Sequence, residues 1–251
     1  IEVLNLNCIL CDVYMATSHQ LCGLFASALK ASPNETANRA PDGLLALLAD
    51  WDGRYDADSR GALLFELVLG NFVENNYSKS VISTYWATWD PRSRVLEDLS
   101  RNPPAHTASL LRAVGRSLRT FNRFKTWGAM HRFRLAHPFG YVPLLGGRYV
   151  HSDTAASGGS ESLYKTGHRS GVGRHQVSYG SSARHISDLS DLDHNYFVLL
   201  GGQDGWLGST TYSDHLQLWR RNQLIQVPLR PATARAQSAS HTVLSPPCGA
   251  T

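Results

Sequence analysis

Residues 179–219 read YGSSARHISDLSDLDHNYFVLLGGQDGWLGSTTYSDHLQLW, and this stretch decides how the rest of the chain is read. Two short runs, residues 185–189 and 196–200, are rich in Ile, Leu, Val and aromatics and lie between Gly, Ser and Asp turns, the pattern of two strands. A polar glycine cluster, Gly201-Gly202-Gln203-Asp204-Gly205, follows the second run. Gln203 and Asp204 are placed to satisfy backbone groups in that turn. Ser209, Tyr212 and Asp214 come next, and Trp219 opens another element. Arg184 and Asp188 are four residues apart, so on a strand they share a face about 13 Å apart. They cannot pair at that distance, and each is expected to tie a separate loop.

Working outward, the β-type character reaches back to His137-Pro138 and no further. Upstream the periodicity is helical. Leu21, Leu24, Phe25, Ala28 and Leu29 recur at helix spacing, ending at Pro33-Asn34 and a loop through Pro41. Leu44, Leu45, Leu47 and Leu48 form a short apolar helix closed by Trp51-Asp52-Gly53. Asp58 or Ser59 then caps a longer one through Ala62, Leu63, Phe65, Glu66, Leu67 and Leu69. Pro103-Pro104 breaks the chain. Leu111, Val114, Leu118 and Phe121 mark a further amphipathic helix. Helices first and strands second predict an α+β fold. Three segments follow: a mostly helical one over 1–136, a β-rich one over 137–230, and a tail over 231–251 expected to be disordered. Residues 154–160, TAASGGS, read as a flexible loop, and no internal repeat is visible.

Composition narrows the class. The 251 residues are 42% hydrophobic, enough for a sizeable core. Only 18% are charged, which suggests a surface partly covered by another segment or chain. A net charge of +4 demands no nucleic-acid partner. No apolar run reaches membrane-spanning length, so no membrane contact is expected. The chain opens Ile1-Glu2-Val3 with no Met and no visible signal, and is read as cut or partial. Cys8 and Cys11 form a C-x-x-C pair without a second pair, and Cys22 stands alone beside His19. All are read as buried thiols rather than metal or redox groups.

Three constellations could carry chemistry. Between Asp98 and Asp153 there is no Asp or Glu and there are nine Lys or Arg. Arg112, Arg116, Arg119 and Arg123 recur at helical spacing, interleaved with Phe121, Phe124, Trp127 and Phe133. Cations beside aromatics can hold single-stranded nucleic acid, but the same pattern suits a solvated or inter-subunit face. His131, His137, His151, His168, His175, His185 and His194 make no H-E-x-x-H motif. Asp188, Asp191, Asp193 and His194 lack the glycine and closing Glu of an EF-hand. No metal site is assigned. Ser178, Ser181, Ser182 and Ser209 sit in no G-x-S-x-G elbow, and no Ser-His-Asp set can be singled out.

Several segments nevertheless resemble one family in order. Cys11-Asp12-Val13 resembles a "Q-L-D" entry. Residues 48–53 with Asp58-Ser59 resemble "L-x-x-W-D-G … D-S". Trp127-Gly128, His131 and His137-Pro138 resemble "W-G … H-P". Gly180-Ser181, Arg184, Ile186 and Asp188-Leu189 resemble "G-x-S-x-R-x-I-x-D-L". Gly202-Gln203-Asp204-Gly205 resembles "G-Q-S-G", with Asp204 in place of serine. Ser209, Tyr212, Asp214 and Trp219 resemble "S-P-H-Y-x-D … W", with Thr211 in place of histidine. The family is that of the penicillin acylases, N-terminal-nucleophile amidohydrolases that also include cephalosporin and acyl-homoserine-lactone acylases.

The resemblance implies a four-layer αββα core and a precursor that cuts itself into a small and a large subunit. A serine freed at the large subunit's N-terminus attacks the amide carbonyl with its own amine as base. Backbone N–H groups and an Asn hold the oxyanion. None of those positions maps onto this chain, which resembles the C-terminal half of the large subunit. No catalytic residue is therefore assigned within it, and the acyl pocket is left unassigned. Calcium ligands, where the family has them, lie upstream. The implied partners are the small subunit, the rest of the large subunit and a small acyl amide of β-lactam side-chain or acyl-homoserine-lactone type. The implied location is periplasmic or secreted, and the chain alone is expected to be inactive. The alternative is a non-catalytic member serving binding or assembly.

Overall fold

Ser59 starts the helix on which the larger part of the fold is built. Its Oγ accepts a hydrogen bond from the Ala62 amide at 3.1 Å, capping helix α4, Arg60–Asn76. All thirteen residues from Gly61 to Val73 are buried, so α4 is a central helix covered on every side. In the computed structural model, residues 3–31, 43–82, 91–144, 146–168, 173–177, 179–206 and 208–244 are described. The loop expected around Pro33–Pro41, Ser178 and Cys248 lie outside them.

The elements before α4 are α1 (Val3–Leu10), α2 (Ala16–Lys30) and α3 (Leu44–Ala49). After it come α5 (Arg92–Arg101), α6 (Thr107–Phe124) and α7 (Trp127–Met130). α6 lies along α4, and two asparagines stitch the pair. Asn71 Nδ2 donates to Ser117 Oγ at 3.1 Å, and Asn76 Nδ2 to Ser109 Oγ at 2.7 Å. The strands are β1 (His131–Ala136), β2 (Val150–Ala155), β3 (Thr166–Gly167), β4 (His175–Gln176), β5 (Tyr179–Gly180), β6 (Ala183–Ser187), β7 (Asn195–Leu199) and β8 (Ile225–Gln226). Between β7 and β8 lies α8 (Leu216–Arg220), and α9 (Pro231–Gln237) closes the series. Mixed helix and strand give the α+β class that the sequence predicts.

Two compact units result: Ile9–Ser181, and Ile1–Cys8 with Ser182–Thr251. They do not divide where the sequence changes character near His137. β1 leaves α7 directly, and its His131 and Phe133 are buried. In this first unit β1 pairs antiparallel with β2 and parallel with β4, and β3 pairs with β5.

The second unit holds the sheet β6-β7-β8. Arg184 faces Val198 and Ile186 faces Tyr196 in the β6–β7 register. The strands begin one or two residues earlier than the sequence suggests, because Asp188 turns the chain by accepting from the Ser190 amide at 2.9 Å. On β6, Arg184 and Ile186 both point inward. Arg184 Nη1 donates to the Trp219 carbonyl at 3.1 Å and Asn222 Oδ1 at 2.8 Å, and the guanidinium lies 4.4 Å from the Trp219 ring centroid. Arg184 and Asp188 thus tie different loops, as the strand spacing requires.

Three expectations need correction. The tail is not structureless from Pro231. Proline pre-sets the first turn of α9, and Thr233 Oγ1 donates to Asp193 Oδ2 at 2.7 Å. The stretch 154–160 is not a flexible surface loop. Ala156, Gly158 and Gly159 are buried, and the Gly158 carbonyl accepts from Trp127 Nε1 at 2.9 Å. Its small side chains serve close packing. The cysteines are not uniformly buried either: Cys8 is exposed and Cys11 partly so, whereas buried Cys22 donates to the Leu48 carbonyl at 3.1 Å. Burial pushes the Cys22 thiol up to about 12.

Candidate functional site

Within the first unit, the densest polar chemistry is buried. Glu66, on the otherwise apolar α4, is 3% exposed, and Arg92 at the start of α5 is 0% exposed. Arg92 Nη2 donates to Glu66 Oε1. Tyr55 Oη donates to the same oxygen at 2.6 Å and lies 3.0 Å from Ser18 Oγ, which accepts from Arg92 Nε at 2.9 Å. Burial alone would raise the Glu66 carboxyl, but the Arg92 guanidinium together with His168 and the Tyr55 hydroxyl outweighs it and holds the carboxyl well below its usual range. Burial, then the Glu66 charge, pushes the Tyr55 phenol far up. The pair ties α2, α4, α5 and the Tyr55 loop together.

Glu66 Oε2 faces the second half of the cluster, with His168 Nε2 at 3.9 Å. His131 opens β1, His175 opens β4 directly beside it, and His168 follows β3. Thr166 Oγ1 gives its proton to the Ser157 carbonyl at 2.7 Å, so it accepts from His131 Nε2 at 3.0 Å. That network leaves His131 Nδ1 as an acceptor for His175 Nδ1–H at 3.1 Å. Trp127 stacks on His131 with centroids 4.5 Å apart. Burial, then His168, holds His175 down at about 3, and burial pushes His131 well below its usual value. Among the described residues neither ring nitrogen of His168 has a hydrogen-bond partner. Each such orphan costs about 1–3 kcal/mol.

Nothing local in the sequence gathers this set: the histidines are scattered along the chain, and Glu66 lies within an apolar helical run. The available signal was Glu66 itself, a lone carboxylate within a run of apolar residues. Glu66, Arg92 and His131 are each 3% exposed or less, so no substrate reaches them. The cluster positions elements.

The other candidates are dispersed. Arg112, Arg116, Arg119 and Arg123 line an exposed face of α6, but Phe121, Phe124, Trp127 and Phe133 are buried and offer bases no stacking surface. Asp191 and Asp193 both bind Arg230, whose Nη1 lies 2.5 Å from Asp191 Oδ1 and 3.1 Å from Asp193 Oδ2. His194 is 3.7 Å from Asp191, while the side chain of His151 lies outside the described residues. Ser181 Oγ donates to the Leu163 carbonyl at 2.9 Å. Ser187 Oγ and Asn195 Oδ1 lie 2.9 and 2.6 Å from the same His185 nitrogen, Nε2. A proton relay needs both nitrogens, so this is no triad.

The glycine turn is built around its unusual residues. Asp204 Oδ2 accepts from Ser209 Oγ at 2.6 Å and from Thr211 Oγ1, while Oδ1 accepts from the Trp206 amide at 2.9 Å. Gln203 Nε2 donates to Asp214 Oδ2 at 2.6 Å. A Cβ on Gly202 would lie 2.1 Å from the Thr211 carbonyl oxygen, so only glycine fits. At the turn after Trp51, Gly53 has φ +81° and a Cβ would meet His19 and Tyr14 at 2.7 Å. Trp51 beside it stacks on Phe65 at 5.1 Å.

The motif residues described above serve packing and turns, and comparison with known proteins assigns the chain to a family. The sequence profile of penicillin amidase matches residues 4–236. The chain belongs to the penicillin amidase family. It is also 25% identical over 233 residues to the acyl-homoserine lactone acylase QuiP of Pseudomonas syringae pv. tomato, an alignment covering 81% of this chain and 28% of that relative. The chain thus spans just over a quarter of that relative's length. The α+β fold fits the N-terminal-nucleophile hydrolases of this family. Asp204 and Thr211, the two positions that differ from the motifs the sequence resembles, bond to each other.

Proposed function

We propose that this chain is the scaffold portion of an acylase-type amidohydrolase. The profile match across residues 4–236 carries the reading. In the proposed reaction, a serine outside this chain attacks the carbonyl of an acylated amine, and its α-amine takes the Oγ proton. The tetrahedral intermediate collapses as the amine leaves with that proton. Water then hydrolyses the acyl ester and regenerates the serine. Substrates of the β-lactam side-chain or acyl-homoserine-lactone type fit this chemistry. A small subunit and the rest of the large subunit are its partners, in the periplasm or outside the cell, and any calcium is held by residues outside this chain.

Two observations support a scaffolding role. The polar side chains that the family motifs supply here are engaged in turns or the core. Phe139, Tyr141, Val142 and Leu144, by contrast, are 51%, 84%, 41% and 105% exposed within six residues, a patch suited to cover by another segment. The test is to incubate the full-length protein with phenylacetyl, glutaryl and long-chain acyl amides and follow released amine. Release from at least one is expected. A folded, processed protein that releases none would favour a non-catalytic binding or assembly role.

A further inference from the structure

We propose that His131, His168 and His175 form a binding site for one divalent transition-metal ion of the zinc class. One nitrogen from each ring lies within 4.8 Å of the others. The Nδ1 atoms of His131 and His175 are already 3.1 Å apart, close to the ~3.4 Å edge of a tetrahedron with metal–nitrogen bonds of about 2.1 Å. His168 supplies the independent observation. Its side chain is wholly shielded from solvent, yet neither nitrogen has a hydrogen-bond partner among the described residues. Nε2 faces only the Glu66 carboxylate at 3.9 Å, and Nδ1, among neighbouring imidazoles, has no partner among the described residues, which leaves it open to an ion.

The donor chemistry selects the class. Three imidazoles suit zinc, cobalt, nickel or copper, whereas calcium and magnesium require oxygen. Outer partners are also present. Thr166 Oγ1 holds His131 Nε2 at 3.0 Å, which leaves Nδ1 for the ion. Glu66 keeps Arg92 on Oε1 and turns Oε2 toward His168 Nε2 at 3.9 Å, placing a negative charge behind that ring. Three ligands leave a fourth position for water. One rearrangement is required: the His168 and His175 rings are stacked, 4.2 Å between centroids and 7° between planes. In-plane lone pairs on parallel rings do not converge, so His168 tilts out of the stack on binding.

The test uses the full chain after dialysis against a chelator, titrated with Zn2+ by calorimetry and with Co2+ by visible absorption. The expected result is one equivalent bound, with the intense spectrum of tetrahedral cobalt. His168→Asn and His175→Asn should each weaken binding on the order of a hundredfold or more, since even an outer partner is worth 10–100-fold. His194→Asn, an exposed site elsewhere, should leave it unchanged. Absence of saturable binding overturns the proposal, as does binding that persists in both cluster variants. Should those variants fail to fold, X-ray absorption on the cobalt-loaded unmodified chain decides. Three imidazole nitrogens at about 2.0–2.1 Å are expected, and a sulfur-containing or all-oxygen shell refutes the site.

Discussion

Replacing Glu66 by glutamine keeps the side chain's shape and removes its charge. Arg92, 0% exposed, is then left as a buried cation without its counter-ion. Breaking a buried pair by removing one partner costs about 3–5 kcal/mol. For a unit of this size each kcal/mol lowers Tm by roughly 2–4 °C, so Glu66→Gln should lower it by roughly 6–20 °C. Arg92→Met should cost a similar amount by stranding the carboxylate. The double variant Glu66→Leu/Arg92→Met removes both charges and leaves Tyr55 Oη with Ser18 Oγ at 3.0 Å. Its cost should be smaller than that of either single change. Thermal and urea unfolding followed by tryptophan fluorescence suits the question, because Trp51 and Trp127 lie 5.2 and 5.3 Å from the Tyr55 ring. Single substitutions costing under about 1 kcal/mol, or a double variant as unstable as the sum of the singles, would refute the reasoning.

In the second unit, Arg184→Met should cost about 2 kcal/mol by removing the bonds to the Trp219 carbonyl and Asn222 and the contact over the indole. A melt of the variant unchanged from the parent would contradict this. Asp204→Ser and Thr211→His should each loosen the glycine turn, and together should cost less than their sum because the two residues bond to each other. Strict additivity in a double-mutant cycle would count against that coupling. Hydrogen bonds from the Asp193 and Arg230 backbones, with the Arg230 charge, hold the carboxyls of Asp191 and Asp193 below their ordinary value of 3.8. The stability they give α9 is therefore present above pH 3.8 and lost as pH falls through their lower folded values. Amide signals of residues 232–237 followed by NMR should broaden or shift in that acid window and stay constant above it.

The sequence made the helical scaffold legible where periodicity and capping agree, as with the Asp58-Ser59 cap and the apolar run to Leu69. It also placed a strand pair, over 185–189 and 196–200, one or two residues late against β6 and β7. The buried cluster was hidden for a physical reason. His131, His168 and His175 meet only through the pairing of β1 with β4 and the path after β3, and nothing local encodes that meeting. The TAASGGS stretch misled because small residues suit both a loose loop and a tight one, and only the packing of Gly158 against Trp127 separates them. The tail from Pro231 shows no apolar periodicity, which reads as disorder, yet Pro231 opens the short helix α9.

The proposed reaction requires the bond-breaking serine to lie outside these residues. Labelling the active full-length protein with a serine-reactive sulfonyl fluoride, then mapping the adduct by peptide mass spectrometry, tests this directly. The label is expected on the N-terminal serine of the large subunit, with none on Ser181, Ser182, Ser187 or Ser209. Stoichiometric label on a serine of this chain, with parallel loss of amide hydrolysis, would contradict it.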